Sequence, residues 1–173
     1  MRRRLVQNYS VLLVVATLIV LGDQTTKHLV LTRLAAGQSL NVVPWLDPIL
    51  RITHLTNTGV AFGMFPKAGN LFAGISAVVA VVILVYCWRL PSKPWFLRVA
   101  LALPLAGSVG NLIDRLRLGS VVDFIDLTFW PLHNWPIFNL ADASTITGVI
   151  LLAVLMLWEE QLERNGQRMV EGS

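Results

Sequence analysis

The sequence predicts an all-α membrane protein with four transmembrane helices, and two observations carry that expectation. Hydrophobic residues make up 55% of the 173-residue chain and charged residues only 14%, for a mean hydropathy of +0.65. A domain surrounded by water needs more charge than that to cover its surface. The apolar residues also gather into runs of bilayer-spanning length, whereas barrel strands are shorter and alternate polar with apolar side chains.

The first run, about Tyr9 to Leu31, is interrupted by Asp23 and Lys27. Its start, with Arg2, Arg3 and Arg4 followed by Val11 to Leu21, has the outline of a secretory signal. No small-x-small cleavage site follows, however, and the run leads into Gly22-Asp23-Gln24. It is therefore read as a retained first span. Leu71 to Trp88 carries no charge, while Leu97 to Ile113 carries Arg98 and Ala141 to Trp158 carries Asp142, each near its beginning. These three runs have about 17–18 residues, roughly 27 Å as helix, close to the ~30 Å hydrocarbon thickness. Spans at about 9–31, 71–88, 97–113 and 141–158 make residues 1–173 a single expected integral membrane domain. Ala102, Ala106 and Gly110 form a small-residue stripe on the third span, as close helix packing requires. Pro104 either kinks that helix or is compensated by its neighbours.

Basic residues near the span ends set the expected orientation. Arg2, Arg3 and Arg4, then Arg89, Lys93 and Arg98, then Arg164 and Arg168 share one side in a four-span chain. The positive-inside rule makes that side, with both termini, cytoplasmic. Arg33, Arg51, Lys67, Arg115 and Arg117 fall on the other side, so the contrast is moderate. The pI near 9.8 reflects scattered residues and no basic patch interleaved with aromatics, so no nucleic-acid partner is expected. Cys87, the single cysteine, excludes an internal disulfide and reads as a small core hydrophobe.

The first outer connection, about Thr32 to Asn70, is long. Its Leu50-Arg51-Ile52-Thr53-His54-Leu55-Thr56 stretch suggests a short strand or two. The second, about Arg115 to Leu140, holds Phe124, Phe129, Trp130, Trp135 and Phe138 and reads as a segment resting in the headgroup layer.

On this topology the polar residues converge on one face. Asp23 and Lys27 fall in the outer half of the first span, Asn57 in the first outer connection, and Asn111, Asp114 and Arg115 where the third span emerges. Asp123 follows in the second outer connection, and Asn139 and Asp142 open the fourth span. Ionisable groups in or beside hydrocarbon are costly, so their convergence marks a candidate functional site. Plainer roles compete. Asp23 and Lys27 are spaced to neutralise one another. Arg115 could anchor at the interface with Asp114 in support, and Asn139 with Asp142 resembles a helix cap. Asp126 rivals Asp123, and chemistry alone does not choose between them. Ser108, Ser120 or Ser144 could pair with Lys27 as a Ser–Lys nucleophile, although none stands in a nucleophile motif. His28, His54 and His133 lack ligand spacing, so no metal is expected. An ion-coupled transporter would bind at the midplane between broken or repeated helices; span two is unbroken and no repeat is visible. A purely structural subunit would not need clustered carboxylates.

Five motifs occur in order: Asp23-Gln24-Thr25-Thr26-Lys27, Asn57-Thr58-Gly59-Val60-Ala61-Phe62-Gly63, Gly110-Asn111-Leu112-Ile113-Asp114-Arg115, Val122-Asp123-Phe124 and Phe138-Asn139-Leu140-Ala141-Asp142. Together they resemble the bacterial lipoprotein signal peptidases (signal peptidase II) over nearly the whole chain. Val60 departs from the small Ala common in that family. The resemblance implies a catalytic pair of Asp123 and Asp142. Asn57, Gly59, Asn111, Arg115 and Asn139 would shape the pocket, supported by Asp23, Lys27 and Asp114. It implies a small extracytoplasmic β-element, a loop over the site and an active site at the outer face of the bacterial cytoplasmic membrane. The substrate would be a lipid-modified prolipoprotein, cut before its diacylglyceryl cysteine, by a monomer in contact with membrane lipid and without a cofactor. Two crowded carboxylates cannot both ionise, so they share a proton. Asp142, at a helix start, would favour the anion, and Asp123, among Val121, Val122, Phe124 and Ile125, would keep the proton.

Overall fold

The computed structural model describes residues 2–41, 45–46, 48–59, 69–89 and 95–171. Val60 with the rest of its motif to Gly63, Lys67 and Lys93 lie outside these residues, as do the side chains of Arg2, Arg3, Arg4 and Arg168. The elements in order are α1 (Arg2–Arg33), β1 (Ser39–Leu40), β2 (Leu50–Asn57), α2 (Gly69–Trp88), α3 (Trp95–Leu118), β3 (Val121–Leu127), a 3₁₀ turn (Leu132–Asn134) and α4 (Leu140–Glu171). Four helical segments, Tyr9–Arg33, Gly69–Cys87, Trp95–Leu118 and Leu140–Asn165, are long and apolar enough to cross a membrane. They leave large side chains such as Leu18, Val78, Val82, Ile150 and Val154 uncovered. Apolar surface on that scale suits lipid contact.

Helix α3 is the hub. It packs against α1, α2 and α4, whereas α1 and α2 hardly meet. The small-residue stripe explains this: Ala102 and Ala106 are wholly covered, and neighbouring backbones approach closely there. Leu12 and Ala16 from α1, Ala80 and Ile83 from α2 and Leu101 and Leu105 from α3 form one apolar cluster, in which Cys87 is also buried. Pro104 occupies the space that any side chain at Gly148 of α4 would need.

Gly110 sits at the tightest crossing beside the polar groups. A Cβ there would lie 2.7 Å from Asp23 Oδ2 and 3.2 Å from the Ala141 Cβ. The Asp23 carboxylate is itself ion-paired and cannot swing away. Gly110→Ala is therefore expected to cost about 1–3 kcal/mol of stability, as overpacked cores do. Heating the protein in detergent while following thiol labelling of buried Cys87 measures it, and an unchanged midpoint would contradict this packing.

The three strands form an antiparallel sheet in the order β1-β2-β3. Strand β2 covers the expected Leu50–Thr56 stretch. Strand β3 was not expected, because the second connection reads from its aromatics as a headgroup segment. Val121–Leu127 is buried along nearly all its length, so it shows no polar–apolar alternation to mark it as a strand. Phe124 packs with Val122 against Val30 and Leu34 at the end of α1, while Trp130 remains 82% exposed. Gly119, at φ +74°, donates its N–H to Arg115 O at 3.0 Å and ends α3 in a left-handed turn. The chain then enters β3 directly, which carries Asp123 back beside the end of α3.

Candidate active site

The start of α4 organises the polar cluster. Asn139 precedes the helix and accepts the Asp142 N–H on Oδ1 at 2.9 Å, and its own N–H donates to Asp142 Oδ2 at 3.3 Å. This reciprocal capping box satisfies a donor that the first helical turn leaves open. The Ala141 N–H is taken by Asp23 Oδ1 of α1 at 2.9 Å. Capping and cavity placement coincide here, because the Asp142 carboxylate that closes the box also lines the cavity.

Asp123 reaches the same cavity from β3 and is 1% exposed. Asn139 Nδ2 donates to its Oδ1 at 2.7 Å and Asn57 Nδ2 to its Oδ2 at 2.9 Å. The Asn57 amide is oriented by the Gly59 N–H, which donates to Asn57 Oδ1 at 3.0 Å. Asn111 Nδ2 donates to Asp142 Oδ1 at 2.7 Å, and Asn111 Oδ1 accepts from Lys27 Nζ at 3.1 Å and Asn139 Nδ2 at 3.2 Å. Every amide thus presents its nitrogen to a carboxylate. Burial, with the Asp142 charge adding to it, pushes the Asp123 carboxyl up to about 7, against the pull of its two Asn donors and the Lys27 charge.

Behind this layer Lys27, 2% exposed, bridges Asp23 Oδ2 and Asp114 Oδ2, each at 2.9 Å. The Val122 N–H also donates to Asp114 Oδ2 at 3.2 Å, tying β3 to α3. Lys27 therefore joins α1 to α3, and through Asn111 it touches the layer that holds Asp142. Arg115 lines the cavity with its guanidinium over the Phe72 ring of α2, 5.9 Å from the centroid. The cavity, about 390 Å³, continues between α2 and α4 over a floor of Gly107 and Ser108.

The family described as Signal peptidase (SPase) II matches residues 15–158. The chain belongs to the signal peptidase II family. Among its relatives, the lipoprotein signal peptidase of Moorella thermoacetica is 40% identical over 145 residues, covering 84% of this chain and 91% of that one. That of Geobacter metallireducens is 38% identical, covering 89% and 94%. A bacterial membrane enzyme structure determined by the in meso method at 2.3 Å superposes with a TM-score of 0.76 at 33% identity, covering 86% of this chain and 88% of that one.

For this signal peptidase II family member the geometry also separates the competing residues. Asp126 pairs with Arg51 Nε at 2.6 Å and accepts the Thr53 hydroxyl at 2.9 Å on the sheet; it does not line the cavity. The Lys27 ammonium is taken up by two carboxylates and Asn111, and among the described residues it meets no serine. With no serine hydroxyl in reach of Lys27 Nζ among the described residues, the geometry gives the Ser–Lys alternative no support. Asp114 is buried in the Lys27 cluster, so it is not part of an exposed anchor. Among the described residues no three His, Cys, Asp or Glu side chains gather as metal ligands. Sequence reasoning missed Gln24, whose Nε2 donates to Asp114 Oδ1 at 2.9 Å and to Gly110 O at 3.2 Å. Its place beside Asp23 in the first motif was the available signal. It also missed Phe72, which one aromatic in an otherwise uniform apolar span could not reveal.

Proposed function

We propose that this chain is a membrane aspartic endopeptidase that removes the signal peptide from diacylglyceryl-modified prolipoproteins, cutting before the lipidated cysteine. Asp123 and Asp142 are its catalytic pair. The observation that carries this reading is that two carboxyls, the buried Asp123 of β3 and the half-buried Asp142 of α4, line one cavity and are linked through a single residue, Asn139. Membership of the family, and relatives named lipoprotein signal peptidase, support the substrate class.

Hydrolysis of an amide needs an activated water and a proton for the departing nitrogen. Asp142, as carboxylate, draws a proton from water while the oxygen attacks the scissile carbonyl carbon. Asp123, as the neutral acid, hydrogen-bonds the carbonyl oxygen and stabilises its developing charge. Collapse of the tetrahedral intermediate breaks the C–N bond, and the proton gained by the pair passes to the nitrogen. Asn57, Gly59, Asn111 and Asn139 hold the two carboxyls, and Asp23, Lys27 and Asp114 hold that layer. Arg115, steadied on Phe72, lines the wall.

Arg89, Arg98 and Arg164 lie toward the end of the bundle opposite the cavity, with the amino-terminal arginines. By the positive-inside rule this supports cytoplasmic termini and an extracytoplasmic site in the bacterial cytoplasmic membrane. A lipid-anchored cysteine presents its peptide bond at a fixed depth in the outer leaflet.

Purified protein should release the signal peptide from a lipidated precursor, and from its unlipidated twin at least about a hundredfold more slowly, because positioning is lost. The rate should also fall as pH rises through about 7, where Asp123 gives up its proton. That decline approaches tenfold per pH unit. Equal cleavage of both precursors, or a rate still rising above pH 8, would count against the reading.

A further inference from the structure

Two hydroxyls in the cavity have no role in the machinery above. Ser108 lies three residues from Asn111 on α3, about 4.5 Å further into the bundle, and Ser76 faces the same cavity from α2, one turn beyond Phe72. Hydroxyls in apolar helices ordinarily turn back onto a carbonyl of the preceding turn. Thr26 does so onto Gly22 O, Thr32 onto His28 O, and Ser144 and Thr145 onto Ala141 O. Ser76 and Ser108 have no such bond, nor any other side-chain partner among the described residues. Around them the wall is apolar, with Ile75, Val79 and Ile146. Both serines are half-buried and open onto the cavity, so each hydroxyl is free to donate to an acceptor that enters it.

We infer that Ser76 and Ser108 recognise the ester carbonyls of the substrate's diacylglyceryl group, an inference that rests on the peptidase reading. When the cysteine's peptide bond sits at Asp123 and Asp142, the glyceryl carbons follow within a handful of bonds. The cavity continues from the carboxyls toward the two serines. Ester carbonyls carry acceptors and no donors, so they complement hydroxyls that can donate. A signal peptide in helical form satisfies its own carbonyls internally and leaves none for a wall hydroxyl. The apolar residues beside the serines then accept the acyl chains. These two residues would make the enzyme sensitive to how the lipid is joined, beyond whether it is present.

A precursor bearing a dialkyl ether in place of the diacyl ester keeps the chains and the glycerol but lacks both carbonyls. The wild-type protein is expected to cleave the ester form about tenfold faster in kcat/KM, the effect of one or two neutral hydrogen bonds. In Ser76→Ala/Ser108→Ala that ratio should fall to near one, with each single variant intermediate. Equal wild-type rates on the two precursors would overturn the inference while leaving the peptidase reading intact. So would a double variant slowed alike on both, since the serines would then serve the fold or the peptide backbone. Failure of the wild type to cleave either precursor would remove both readings together.

Discussion

Replacing Asp123 or Asp142 with Asn is expected to slow release of the signal peptide by about a thousandfold or more, the scale lost when an acid–base partner is removed. The fold should survive both changes. An Asn at 142 can still accept the Asn139 N–H that closes the capping box; at either site the new amide nitrogen meets one Asn donor, a local loss offset by removing one of two crowded carboxylates. The thermal midpoint for Cys87 labelling should accordingly stay close to that of the wild type. Asp126→Asn is the matched control. It removes a carboxylate three positions along the same strand, from a partly exposed pair with Arg51, and should leave turnover within about threefold because such pairs contribute little. Full activity in either dyad variant would end the aspartic mechanism.

Lys27→Met should damage the fold itself. The ammonium it removes is the counter-charge for both Asp23 and Asp114, all three nearly inaccessible to water. Breaking a buried pair by deleting one partner leaves uncompensated charge and costs about 3–5 kcal/mol. The same substitution combined with Asp23→Asn and Asp114→Asn removes all three charges together and should recover at least half of that loss, because neutral replacement of a buried cluster is far less costly. Unfolding monitored through Cys87 tests both variants. A Lys27→Met protein that unfolds at the wild-type midpoint would show the cluster to be dispensable for stability.

The four helices were legible because a span advertises itself through an unbroken run of apolar residues. Apolarity all round a helix says little about which face meets a neighbour, so the wall formed by Phe72, Ile75 and Val79 could not be read from α2. Strand β3 escaped for a related reason: cover on both faces erases the alternation that would reveal it. Asp126 and Asp123 stayed rivals in the sequence because they are chemically alike. Only pairing β3 with β2, which sets Arg51 opposite Asp126, assigns one carboxylate to the sheet and leaves the other to the cavity. The fold brings the motif residues together, yet the part played by Asn111 joins residues 84 and 31 positions away and emerges only once the helices are assembled.

The four-residue spacing of Asp23 and Lys27 bears on how such a chain is made. Helix α1 leaves the ribosome long before α3, the element that supplies Asp114 and Asn111. Because its acid and base already sit one turn apart on the same helix, Asp23 enters the bilayer with its own counterion, as half of a neutral pair. The later helix then recruits a charge that has been waiting, already shielded, in the hydrocarbon.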